Sequence, residues 1–283
     1  MIDEVTGPTS APQNANIAVW RHGGFTREYT SRRLRPAEVV LLSHHRAQLS
    51  GRVLELGVGG GRITSHLLEL ADSLLGIDIG ADMVAYCRRS FPHATFAEGD
   101  IRDLSGHGSA STDAVVAGFN LIDVLDDAHR GRFFDEIHRV LAPDGLLLFS
   151  SHNLACVPLI KGPLRSLSLN PLRTANRILR LPRSIPNHRR LVPLQRFESD
   201  YAIVNDVAHD HSLLHYYIGR DGQERQLEAH GFKLLECLDA AGEVVPHGDA
   251  AFGCHELHYA AIRVDTADEV GAGEHSPHDA PSA

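Results

Sequence analysis

The sequence is short of several things that would narrow its class quickly. Only four cysteines occur, Cys87, Cys156, Cys237 and Cys254, far apart and with no C-x-x-C pair; this excludes a disulfide framework and reads as free thiols in a reducing compartment. No apolar run approaches the ~18 residues of a membrane span. The first twenty residues lack the basic and apolar regions of a signal peptide, so a cytoplasmic location is expected. Positive charge is in deficit: 27 Lys and Arg against 36 Asp and Glu leave a formal net charge of −9, which argues against a surface built for stable nucleic-acid binding. There is no internal repeat. What is abundant is histidine, at nineteen residues, most of them expected to be ordinary surface or core side chains.

With 283 residues, 43% of them hydrophobic, the chain can bury a sizeable core. A helix is expected over 35–51, opening at Pro36. Strand and helix patterns then alternate: strands at 52–57, 74–80, 94–100, 112–120 and 146–151, helices at 61–73, 81–92 and 126–141, and a turn at Pro143–Gly145. Short apolar strands between amphipathic helices predict βαβ units, hence a doubly wound parallel sheet. The regularity breaks after Ser151. From Lys161 to Phe197 there are nine Lys or Arg, no Asp or Glu, and five prolines. A helix and strand resume over 219–242, and a last strand is expected at 256–264.

One stretch concentrates glycine: "RVLELGVGGGRIT", Arg52 to Thr64. A strand, a glycine-rich turn and a helix start make a site where bare backbone faces a nucleotide-like ligand. The dinucleotide fingerprint needs glycine at position 62, which is Arg62, and no G-K-[ST] follows for a P-loop. The pattern present is E-x-G-x-G-x-G: Glu55, Gly57, Gly59, Gly61. An acid in the first strand suits a cationic ligand end better than a pyrophosphate.

This pattern resembles motif I of the class I S-adenosylmethionine-dependent methyltransferases, and the resemblance continues over residues 50–153 and more loosely over 219–264. It implies a Rossmann-like seven-stranded α/β sheet whose last strand is antiparallel, and S-adenosylmethionine as cofactor. Glu55 would serve the amino-acid end. Asp78 and Ile79 in "GIDIG" would serve the ribose, Asp100 and Ile101 in "EGDIRDL" the adenine, and the segment at Phe119 and Asn120 the methionine ammonium. The expected activity is methyl transfer to a small molecule, preferably at a hydroxyl. N- or C-methylation stays open, as do a nicotinamide-dependent oxidoreductase, disfavoured by Glu55 and Arg62, and a non-catalytic cofactor binder.

An oxygen nucleophile gains from a general base, and loops at the carboxyl ends of parallel strands border the cleft. His152 after strand five, Asp123 after strand four and His211 in "HDHSLLHYY" are the candidates. Each has a plain alternative: a strand-end cap for His152, a solvated carboxylate for Asp123, packing for His211. A metal site from His209, His211 and His215 lacks a companion carboxylate pattern, so no metal is expected. The domain is expected at 19–264, between disordered ends at 1–18 and 265–283, with 154–218 as a lid insertion. Three readings of the insertion's basic stretch compete: a solvated lid, a site for an anionic acceptor, and transient contact with a membrane surface through 161–197. Trp20 and Tyr29 are candidates to close the pocket.

Overall fold

Ten strands form one sheet, and six α-helices flank it in the described part of the chain. The structure is a computed structural model that describes Asn16 and residues 33–165 and 171–265. Apart from Asn16 and Asp265, the expected disordered ends lie outside what is described, as do the side chain of Arg173, Trp20 and Tyr29.

After α1 (Pro36–His44), the first strands and helices follow the expected order: β1 (Arg52–Leu56), α2 (Thr64–Leu67), β2 (Ser73–Asp78), α3 (Ala81–Ser90), β3 (Thr95–Glu98), β4 (Thr112–Ala117), α4 (Asp127–Val140) and β5 (Leu141–Asn153). The helix expected over 61–73 is only one turn long, because Gly59 and Gly61 hold positive φ at its approach and the chain turns back toward β2 by Asp72. The turn expected at Pro143–Gly145 is a bulge inside β5. Thr112 pairs with Leu141 and Ala114 with Leu146, so residues are looped out with Asp144 at φ +59°.

Seven strands run in the order β3-β2-β1-β4-β5-β10-β9, parallel except for β10 (Glu256–Arg263), which is antiparallel to both β5 and β9 (Phe232–Leu238). This is the Rossmann-like arrangement the sequence implies. The core lies against α4, whose Phe133, Phe134, Ile137 and Val140 recur on one face and are all fully buried; each is worth roughly 1.5–3 kcal/mol in burial. Phe134 meets Phe149 and Phe232 edge-on at 5.9 and 6.2 Å. Asp126 caps the helix by accepting from the His129 N–H.

The insertion expected over 154–218 contributes to the sheet. After α5 (Pro171–Leu191), it adds β6 (Arg196–Phe197), β7 (Tyr201–Val204) and β8 (His215–Ile218) to the sheet. His152 pairs with Glu256 of β10 on one edge of β5 and with Tyr217 of β8 on the other. β8 therefore takes the edge of β5 that β4 leaves when it ends at Ala117. The chain then enters α6 (Arg220–Ala229). No described helix is long and apolar enough to cross a membrane.

Candidate active site

The cofactor side is built by the loop between β1 and α2. Gly57, Gly59 and Gly61 sit at φ +65°, +50° and +76°, where side chains are strained. Packing adds a second demand: a Cβ on Gly57 would lie 2.6 Å from Leu121 Cδ1, and one on Gly61 2.2 Å from the Phe91 ring. At the end of β2, Asp78 accepts from the Gly59 N–H and the Gly80 N–H, both at 2.8 Å. Each oxygen keeps a further lone pair for a ligand hydroxyl. Ile79 follows, half-buried.

Glu55 is buried under the loop, with the Thr64 hydroxyl donating to it at 2.6 Å. Burial pushes its carboxyl up to about 7, against the opposing Thr64 hydrogen bond and Arg62 charge. A carboxyl so placed favours a cationic partner. Cys87, whose thiol faces the Gly59 carbonyl at 3.3 Å, is pushed up to about 12 by burial and by Glu55 and Asp78. All four cysteines are free. Asp100 is held by its neighbour Arg102 through both oxygens, at 2.8 and 2.5 Å, and Ile101 packs into the main core.

β4 ends in a strained turn. Phe119 and Asn120 are consecutive non-glycine residues at φ +59° and +55°, a costly pairing that marks functional turns. Arg35 and Arg62 lie over the Phe119 ring at 4.5 and 5.0 Å. Arg62 is itself paired with the buried Glu38 and Arg35 with Glu256. Asn120 donates its backbone N–H to Ser150 Oγ at 2.8 Å, and its amide reaches Glu256 at 3.1 Å and His152 Nε2 at 3.3 Å.

Asp123, expected beside an acceptor, is instead fully buried. The 3₁₀ turn Leu121–Val124 points it inward, beneath the end of β5. It accepts from Arg130 at 2.8 Å, Ser151 Oγ at 2.5 Å and the His152 N–H at 2.7 Å, and its Oδ2 lies 2.6 Å from His152 Nδ1. Burial would raise this carboxyl, but His152, Arg130 and Ser151 outweigh it and hold Asp123 below the usual range. Arg130 is equally buried and bonds Gln223 and Gln226 of α6, with the Tyr216 ring 4.5 Å beneath it. His152, one-fifth exposed, is the member that faces outward.

β8 adds a second couple. His215 Nδ1 lies 2.8 Å from Asp206, which also accepts from the Tyr217 hydroxyl at 2.7 Å. Burial opposes ionisation of His215, but Asp206 raises it above the ordinary imidazole range. The rings of His215 and Tyr217 lie 5.2 and 4.8 Å from that of His152.

His211, expected at the pocket edge, is buried against His188 at 5.1 Å. Residues 209–211 form a left-handed turn, and the strand begins only at His215. His215 and Tyr217, read from the sequence only as a metal ligand and as a ring that packs or lines the acceptor pocket, join Asp206 and Arg130, for which spacing gives no signal. The signal for the first two was the alternation in "HYYI", which puts them on one strand face. Asn16 ties the two halves together: its amide donates to the Val124 and Leu214 carbonyls, and its oxygen accepts from the Leu214 N–H. Among the described residues one group has the spacing of a metal site, Asp221, Glu224 and His247, and the Arg220 guanidinium already pairs with both acids.

Residues 53–145 match a family model described as a methyltransferase domain. A trans-aconitate 2-methyltransferase of Acidovorax ebreus is 32% identical over 123 residues, 43% of this chain and 45% of that protein. A protein of Mycolicibacterium smegmatis described as a probable S-adenosylmethionine-dependent methyltransferase is 33% identical over 122 residues, 43% of this chain and 44% of its own length. The chain thus spans less than half the length of these curated relatives. Among solved structures, a Burkholderia thailandensis 1,6-didemethyltoxoflavin-N1-methyltransferase covers 92% of this chain and 94% of its own, with TM-score 0.55 and 17% identity. A Pyrococcus horikoshii protein covers 84% and 96% with TM-score 0.56 and 17% identity; at such identity these two establish the fold. Residues 53–145 are thus similar to the methyltransferase domain family, and the chain, with the glycine loop, the acid at the end of β2 and the strand order already described, has the fold of the class I S-adenosylmethionine-dependent methyltransferases.

Proposed function

We propose that this protein transfers the methyl group of S-adenosylmethionine to a hydroxyl of a small molecule, with His152 as the general base. The carrying observation is the Asp123–His152 couple, a buried carboxylate 2.6 Å from Nδ1 of a partly exposed imidazole. When bound, the cofactor supplies a methyl group on a positively charged sulfur. The chain's own residues do the rest. Glu55 takes the cationic amino-acid end, the Asp78 carboxylate takes ribose hydroxyls, and Asp100 and Ile101 border the adenine, with Arg102 setting the carboxylate's orientation.

Asp123 keeps the neutral ring's proton on Nδ1. Nε2, to which the Asn120 amide donates at 3.3 Å, is the atom that accepts the acceptor's hydroxyl proton once that amide donates to Glu256 alone. Asp123 is therefore a positioning residue. Tyr217 and His215 wall the same space from β8. That one curated relative is a trans-aconitate 2-methyltransferase supports a small-molecule acceptor.

The test is label transfer from methyl-labelled S-adenosylmethionine into small-molecule, lipid and RNA fractions of cell extract, with Asp78→Ala and His152→Gln variants in parallel. Label in a small-molecule methyl ether, lost with Asp78→Ala and sharply reduced with His152→Gln, is expected; a methyl ester would mean a carboxylate acceptor and overturn the hydroxyl assignment. An N- or C-methylated product, or full activity of His152→Gln, would overturn the hydroxyl assignment. Failure to bind S-adenosylmethionine would overturn the whole reading.

A further inference from the structure

The chain's charge is sharply segregated. Residues 161–197 hold nine of its 27 basic residues and none of its 36 acidic ones, so everywhere else acids outnumber bases two to one. The same segment and its approach expose large apolar side chains. Leu159, Leu164, Ile178, Leu179, Val192 and Phe197 are between 37% and 77% exposed, half of the exposed large hydrophobics among the described residues. Scattered apolar residues need no account, but a cluster within a basic segment does.

The orientation of α5 is fixed from its inner side. Ser184 and Leu191 are buried, the Asn187 amide donates to the Asp210 carbonyl at 3.1 Å, and His188 Nδ1 lies 2.6 Å from Asn205 Oδ1. At 100° per residue, the opposite face carries Ile178, Leu179, Pro182 and Pro186 interleaved with Arg183, Arg189 and Arg190, all exposed. Among the described residues none of these three arginines has a carboxylate partner, whereas Arg180, on the inner side with Ser184 and Leu191, pairs with Asp210. The outward face is thus apolar and cationic at once.

We propose that α5 and the turns flanking it are a docking surface for an anionic phospholipid membrane. Aliphatic side chains and prolines flanked by arginine match what the headgroup–acyl boundary offers: apolar depth beneath phosphate. A single-stranded nucleic acid would ask for aromatic platforms, and Phe197 is the one exposed aromatic of the segment. Docking there would be read at the active site through few contacts. His188 holds Asn205, next in sequence to Asp206, which anchors His215 and Tyr217 beside His152.

The experiment is flotation of the full-length protein with phosphatidylcholine vesicles, with and without about one-third phosphatidylglycerol. Binding only to the anionic vesicles, weakening with salt, is expected. An Arg183→Gln/Arg189→Gln/Arg190→Gln variant should bind roughly a hundredfold more weakly, about fivefold for each arginine. An Ile178→Asn/Leu179→Asn variant should lose at least tenfold, and unchanged thermal melts will show that both are folded. Equal partition onto uncharged vesicles, no flotation with anionic ones, or indifference to both variants would overturn the proposal. Displacement from the vesicles by single-stranded RNA at equal phosphate concentration would reassign the face to nucleic acid and overturn it too. The binding readout is independent of methyl transfer.

Discussion

The two halves of the site are held by different physics. On the cofactor side, backbone amides do the holding: Asp78 gathers Gly59 and Gly80, and its partners lie within about twenty residues in sequence. On the acceptor side, buried charges do it. Arg130 and Asp123 meet Ser151, His152, Gln223 and Gln226 across four separate elements. A loop of amides is a generic cradle for one ligand type, whereas a buried ion network specifies one arrangement and fails as a unit when a member is removed.

Five experiments break or sharpen that contrast. His152→Gln should lower kcat by roughly 100- to 10,000-fold while S-adenosylmethionine affinity, measured by calorimetry, stays within about threefold; a fall in affinity as large as that in kcat would merge the two halves. Arg130→Met should cost about 3–5 kcal/mol of stability in urea unfolding, because Asp123 is left buried and uncompensated. A loss under ~1 kcal/mol would mean the network relaxes through water. Gly57→Ala, at φ +65° and facing Leu121, should cost roughly 1–2 kcal/mol and weaken cofactor binding while leaving the His215–Asp206 couple intact.

The smallest effects are in pH. His215 is raised, so its contribution is complete below about pH 6.5 and is lost as pH climbs through its folded value; Asp206 is lowered, so its contribution is complete above about pH 4 and is lost as pH falls through its folded value. Stability should therefore be flat between about pH 4 and 6.5 with respect to this pair and decline outside, a profile that His215→Gln should remove. On the other side, a cation placed on Glu55 ionises a carboxyl that stands at about 7. Cofactor binding near neutral pH should release up to about half a proton, seen as a buffer-dependent binding enthalpy that Glu55→Gln abolishes.

The contrast also explains what could be read from the chain alone. The glycine loop, Asp78 and the strand alternation are local in sequence, and pattern suffices for them. Asp123 reads in the sequence as an acceptor-side acid, with a solvated carboxylate as its alternative, because no pattern says that α4 returns Arg130 to it. His211 stands out in the sequence because it shares a face with His209 on a strand and with His215 on a helix, whereas three successive left-handed residues make the segment neither and delay the strand to His215. The insertion's short strands, β6 to β8, are not legible in the sequence because they form only where the tip of β5 offers an edge.

That tip has an evolutionary consequence. The inserted strands join the seven-stranded sheet through two ladder positions, His152 with Tyr217 and Asn153 with Ile218, and β8 brings the rings of His215 and Tyr217 against His152. A different segment spliced between the same two points would meet the same His152 and the same glycine loop, yet present a new wall. Under the proposed activity, substrate preference can be exchanged as a cassette while the transfer chemistry is inherited unchanged.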